Sequence, residues 1–211
     1  MLEDNVIILG CLSLIVIAIS ITVHEFAHGL ASHVLGDDTA KLSGRLTLNP
    51  LKHIDIFTTV LLPIILVLSG LPPFGAAKPV PFNPYKLKFG EFGTAIVGFI
   101  GPLSNFLMAI IGGVVLRLTI DLNSDLWLTW WWLFIIINIG FFVFNLIPFP
   151  PLDGSRVLYA FAPEFLQTIM VKIETLGFMA ILIFMLFIFP AVSPLLQTIN
   201  NWLIHSLVGI I

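Results

Sequence analysis

Six apolar runs divide the chain, at about Val6 to Leu35, Ile56 to Leu71, Thr94 to Ile120, Leu126 to Leu146, Leu176 to Phe189 and Leu195 to Ile211. A helix rises about 1.5 Å per residue, so a hydrocarbon layer about 30 Å thick takes about 20 residues to cross. The first, third and fourth runs have that length. Where no water is present every backbone N–H and C=O must be paired inside the chain, which makes helices the spanning elements here. A mean hydropathy of +1.08 with only 10% charged residues lies far outside the soluble globular range. The chain therefore reads as an all-α polytopic membrane protein of about five to six hydrophobic segments, with the lipid bilayer as its solvent.

The runs are not equivalent. The second holds only about sixteen residues, with Pro63 inside it and Pro72-Pro73 directly after, and reads as a re-entrant segment rather than a crossing. The stretch from 72 to 91 carries five prolines and cannot be helical; a short extended or β-hairpin element is expected there, available to pair with an unwound partner strand. Nothing polar is long enough to fold as an added module, so residues 1–211 form one membrane-embedded domain. A net charge of -3 without a basic cluster leaves no electrostatic footprint for nucleic acid. Cys11 is the only cysteine, so neither an internal disulfide nor a thiolate metal cage can form.

Chemistry concentrates near the end of the first run, at His24-Glu25-Phe26-Ala27-His28. Four residues of helix turn about 400°, which brings the two imidazoles to one face, one turn apart, where each can give a nitrogen to a single metal ion. Glu25 is rotated about 100° from His24, beside such an ion and placed to take a proton from water. Two histidines, a carboxylate and water are the parts of a zinc hydrolase, in which zinc brings the pKa of water to about 7 and the carboxylate completes its deprotonation. Ionisable groups at membrane depth cost about 2.5–3.5 kcal/mol each on insertion scales, which favours function over accident.

A third ligand is needed. An extended zincin motif would place histidine where this chain has Val34 and glycine where it has Ala31; His33 is one residue out of step and reads as an interfacial histidine. Among the acidic residues Asp153 is the best placed, following Asn145-Leu-Ile-Pro-Phe-Pro-Pro-Leu152 and preceding Gly154 at the end of the fourth run. The alternative for Asp153 is an N-cap of a helix starting at Ser155.

HEFAHG near the N-terminus, GPLSN at Gly101 to Asn105 and NLIPFPPLDG at Asn145 to Gly154 together resemble the site-2 protease family of intramembrane zinc metalloproteases, in that family's order. The resemblance implies one zinc ion bound by His24, His28 and Asp153, Glu25 as the catalytic base, and Asn105 and Asn145 as polar residues near the site. It implies a minimal member, without PDZ or CBS domain, that cleaves single-span membrane proteins in or near their transmembrane segments. A non-enzymatic metal transporter or sensor using the same ligands is the alternative.

Ligands to one ion must share a depth. The histidines lie toward the end of the first run and Asp153 just past the end of the fourth, so those two helices must run parallel, which requires the second run not to cross. That arrangement puts Lys41, Arg45, Lys52, Lys78, Lys86, Lys88, Arg156 and Lys172 on one side and leaves Arg117 with Glu3, Asp4, Asp121 and Asp125 on the other. By the positive-inside rule the site then faces the cytoplasm and the N-terminus lies outside, as expected for the plasma membrane of a prokaryote.

Overall fold

The computed structural model describes residues 2–61, 64–65, 68, 75, 77–122 and 125–209. Among them no β-strand occurs. Among the described residues four helices are long and apolar enough to cross a membrane. They are α1 (Leu2–Val34), α2 (Glu91–Thr119), α3 (Asp125–Asn145) and α6 (Met179–Val208), with α4 (Asp153–Phe161) and α5 (Glu164–Glu174) between the last two.

The fifth and sixth apolar runs are thus one helix, not two segments. Pro190 and Pro194 lie where the runs had been separated, and a proline withholds the N–H owed to the carbonyl four residues back. The helix absorbs the loss by loosening into a π-turn at Phe184–Ile188 and continuing.

The bundle is packed as membrane helices are, with small and polar residues inside and large apolar ones outside. The buried face of α2 carries Gly98, Gly101, Asn105, Ala109, Gly112, Gly113 and Leu116, a stripe at helical spacing. Gly112 lies so close to Phe134 and Ile135 of α3 that an added Cβ would sit 3.0 and 3.1 Å from them. Ala109 and Leu116 join Ile135, Ile139, Val143 and Val208 in the main apolar core. Ile7, Leu14, Leu107, Ile111, Leu118 and Phe187 point outward, toward what a bilayer would supply.

Contacts fix the helix directions. His28 and His24 of α1 meet Val97 and Asn105 of α2 in reverse order, so α1 and α2 are antiparallel. Asn105 bonds Asn138 while Gly112 packs on Phe134 and Ile135, so α2 and α3 are antiparallel too. Phe184 near the start of α6 rests on Phe149, with ring centroids 4.9 Å apart, and Arg117 at the far end of α2 donates to the carbonyls of Ser206 and Val208 at the end of α6. Helices α1 and α3 therefore run parallel, and α2 and α6 run against them. The chain leaves α1 and enters α2 at the same end, as the argument from shared ligand depth requires. The re-entrant reading of 56–71 falls partly outside the described residues, at 62–63, 66–67 and 69–71; the described start is a π-turn at Ile56–Leu61.

The β-hairpin expected at 72–91 is not what the described part forms. Residues 77–83 have no regular secondary structure and pair with no strand among the described residues, and a 3-10 turn follows at Pro84–Lys86. Prolines at 79, 81 and 84 remove the donors a ladder needs, and the remaining N–H groups of Lys78, Val80 and Asn83 are taken by the His53 carbonyl, the Glu25 carboxylate and the Asp37 carboxylate. Those three donors are therefore not available to an added strand.

Candidate metal centre

Three side chains from two separate parts of the chain converge at one end of the bundle. His24 Nε2 and His28 Nε2 are 3.0 Å apart, and Asp153 Oδ2 is 3.1 Å from the first and 3.3 Å from the second. Zinc held tetrahedrally at about 2.0–2.2 Å sets its ligands about 3.3–3.5 Å apart, so the three atoms already occupy one face of such a site. Asp153 does not cap α4. It stands in the first turn with its carboxylate turned to the histidines, and Leu152 precedes it as an uncapped N-terminus.

The hydrogen bonds on the outer ring nitrogens decide what those inner atoms can do. His28 Nδ1 is 2.7 Å from the carbonyl of Val97, which can only accept, so Nδ1 carries a proton and Nε2 is the nitrogen left to bind a metal. His24 Nδ1 is 2.7 Å from Asn105 Oδ1. The orientation of that amide is set by its other end, since Asn105 Nδ2 donates to the carbonyl of Ser20 at 3.3 Å and to Asn138 Oδ1 at 2.9 Å. Two imidazole nitrogens and a carboxylate oxygen thus face each other at contact distance in a buried pocket, an arrangement that calls for a cation, a proton or a metal ion, between them. The donor set fits zinc on chemistry as well as on spacing.

Glycines make room for this packing. A Cβ at Gly101 would overlap the rings of His28 and His24, and one at Gly154 would overlap the carbonyl of Leu146, closing the turn that delivers Asp153.

Glu25 is buried beside the histidines, at 9% exposure against 7% and 8% for His24 and His28. Its Oε2 accepts the N–H of Val80 at 2.7 Å. The segment that supplies this donor is held in turn by Arg45, whose guanidinium donates to the carbonyls of Lys78 (2.6 Å), Pro79 (3.3 Å) and Lys52. At the other end of the segment Asp37 accepts from Asn83 N–H at 2.6 Å and from the Thr39 hydroxyl at 2.5 Å. Burial would push the Asp37 carboxyl up, but the hydrogen bonds from Thr39 and Asn83 and the charge of Lys86 hold it below the ordinary carboxylate value.

Of the six residues singled out from the sequence, His24, His28 and Asp153 are in contact with one another, Asn105 bonds His24, and Glu25 adjoins them on α1. Asn145 is not among them: its amide donates to the carbonyl of Phe141 in its own helix at 3.0 Å. His33 pairs with Asp38 at 2.6 Å, apart from the three converging ligands. Asn138, Arg45 and Asp37 went unrecognised, and only Asn138 left a trace, as a lone asparagine inside the apolar run IIINIG.

The chain is 36% identical over 197 residues to YwhC of Bacillus subtilis, a protein named provisionally as a zinc metalloprotease, covering 89% of this chain and 84% of that one. Rip2 of Mycolicibacterium smegmatis, named in the same way, is 28% identical over 189 residues, 87% of this chain and 69% of its own length. Rip2 of Mycobacterium tuberculosis is 26% identical over 186 residues, 87% of this chain and 66% of its own length. No family model matches the chain, and no solved structure does.

Proposed function

Because the chain belongs to the site-2 protease family of membrane zinc metalloproteases, we propose that it hydrolyses peptide bonds in or beside the membrane-spanning helices of single-span proteins, with His24, His28 and Asp153 as the zinc ligands and Glu25 as the general base. The observation that carries this reading is the meeting of two imidazole nitrogens and one carboxylate oxygen within 3.3 Å at the end of α1, next to a buried glutamate.

Zinc, when bound, supplies a Lewis acid that acidifies water and polarises the scissile carbonyl. The rest is done by the chain. With Val80 N–H holding Oε2, Glu25 presents Oε1 as the oxygen that takes the proton of the attacking water and returns it to the leaving amine. Asp153 lends the ion a charge that partly offsets its own, and the outer hydrogen bonds of His24 and His28 keep both rings aimed inward. A helical amide is hydrogen-bonded and covered by its neighbours, so the substrate helix unwinds locally before cleavage, and water enters from the end of the bundle where the site lies.

That end carries the described parts of the connections 35–90 and 146–178, and with them eight of the nine Lys and Arg residues; Arg117 alone lies at the other. The charge bias supports a site facing the cytoplasm and an N-terminus outside, in the plasma membrane of a prokaryote.

The deciding experiment is Glu25→Gln in purified protein, assayed for cleavage of a single-span substrate and for zinc content. Loss of cleavage with zinc retained is expected, and a chelator should silence the wild type. Undiminished cleavage by the variant would remove Glu25 from the mechanism, and zinc binding without any cleavage by the wild type would favour a metal carrier or sensor instead.

A further inference from the structure

The polar atoms behind His24 form a chain whose direction is fixed at every link. Asn138 on α3 donates from Nδ2 to the carbonyl of Phe134, one turn back in the same helix, at 2.8 Å. A carbonyl accepts only, so the amide of Asn138 must present Oδ1 to its other neighbour, and there it meets Asn105 Nδ2 at 2.9 Å. Asn105 must then present Oδ1 to His24, where Nδ1 lies 2.7 Å away. His24 can answer only as a donor, so a proton is fixed on Nδ1, and Nε2, the atom that faces His28 and Asp153, is the nitrogen left for the ion. Both asparagines are wholly buried, at 0% exposure, and water cannot substitute for either amide.

We propose that Asn138 is a positioning residue for the metal site: it anchors the amide of Asn105 to the backbone of α3 and so selects the His24 tautomer that can bind zinc. Without Asn138 Oδ1, Asn105 retains a single acceptor for its NH2 group, the Ser20 carbonyl at the longer distance of 3.3 Å, so one hydrogen bond instead of two opposes its turning over. Turned over, it offers a donor to Nδ1, which shifts the proton of His24 to Nε2 and removes the lone pair the ion needs. Three helices are joined by this device, since Asn138 belongs to α3, Asn105 to α2 and His24 to α1. The ring is therefore aimed by the packing of the bundle and not by α1 alone.

The inference rests on His24 being a zinc ligand, and the test separates the two. Zinc affinity of the full chain in detergent is measured by competition with a chromophoric chelator for the wild type, His24→Ala, Asn138→Leu, Asn105→Ala and the double variant Asn105→Ala/Asn138→Leu. Loss of an outer partner of a ligating histidine typically lowers metal affinity about 10- to 100-fold. Asn138→Leu should fall in that range and should add nothing in the Asn105→Ala background, because Asn138 acts only through Asn105. An unchanged affinity in Asn138→Leu, or an equal loss in both backgrounds, overturns the proposal. If His24→Ala also leaves zinc affinity intact, the ligand assignment itself fails. A second readout does not depend on how the variants fold: nitrogen NMR of labelled histidine in the wild type should show His24 protonated on Nδ1 with the metal on Nε2, and ligation through Nδ1 would sink the idea.

Discussion

A single methyl group added at position 101 would land on both imidazoles, since the Cβ of an alanine there overlaps His28 and His24. Overpacking of this kind costs about 1–3 kcal/mol, and here the strain falls on the ligands. Gly101→Ala should lower zinc affinity roughly 10- to 100-fold, as read by chelator competition, while the far end of the bundle keeps its helix content by circular dichroism. Asn145→Ala, by contrast, removes only a bond to Phe141 within α3 and should leave zinc affinity within about twofold. The histidines and Glu25 were legible in the sequence because their relation is local, five consecutive residues on one helix. Asp153 was legible because prolines and a glycine mark the turn that carries it. Asn138 and Asn145 could not be ranked that way: they lie two helical turns apart on nearly the same face of α3, and only the position of α2 decides which one meets Asn105.

At the level of elements the segment 77–83 is the part most dependent on others. It has no ladder of its own and is held by Arg45, Asp37, His53 and Glu25. Arg45→Met leaves the carbonyls of Lys78 and Pro79 without their donor, a loss of about 1–3 kcal/mol in a buried setting, which corresponds to roughly 5- to 150-fold faster opening. Hydrogen–deuterium exchange of the peptide spanning Val80 should rise accordingly, with exchange in the core of α2 unchanged. Asp37 adds a pH term. Its carboxyl lies below the ordinary value of 3.8, so its contribution is complete above that value and is lost only as the pH falls further, through the lowered folded value. Protection of the Asn83 amide should accordingly hold at neutral and mildly acid pH and weaken below about 3.8, while Asp37→Asn should be weak throughout. The prolines of this stretch correctly excluded helix, but the same prolines also exclude the hairpin, and nothing local named Arg45 as the holder: its partners lie seven to 34 residues away. In α6 the error ran the other way, because Pro190 and Pro194 looked like a boundary in a sequence where membrane burial lets a helix pass over them.

For the molecule as a whole, helix direction was recoverable from two facts together, the ligands' place in the chain and the need for one depth. The packing agrees, with α1 and α3 parallel. The sidedness that follows is open to direct measurement. In a chain carrying Cys11→Ser, Lys52→Cys belongs to the site end and Asp121→Cys to the other, so an impermeant maleimide should label the second in intact cells and the first only in inverted vesicles. Labelling of both from one side would break the topology. The pairing of Arg117 with the last carbonyls of α6 bears on the same geometry, because it places the end of α6 beside the beginning of α3, at the end where α1 also starts. Both extremities of the described chain therefore emerge on the face opposite the chemistry. A purification handle or fluorescent reporter joined at either terminus would leave the mouth of the site unobstructed, and a tether that drew those two extremities together would constrain α1 against α6 without touching the ligands.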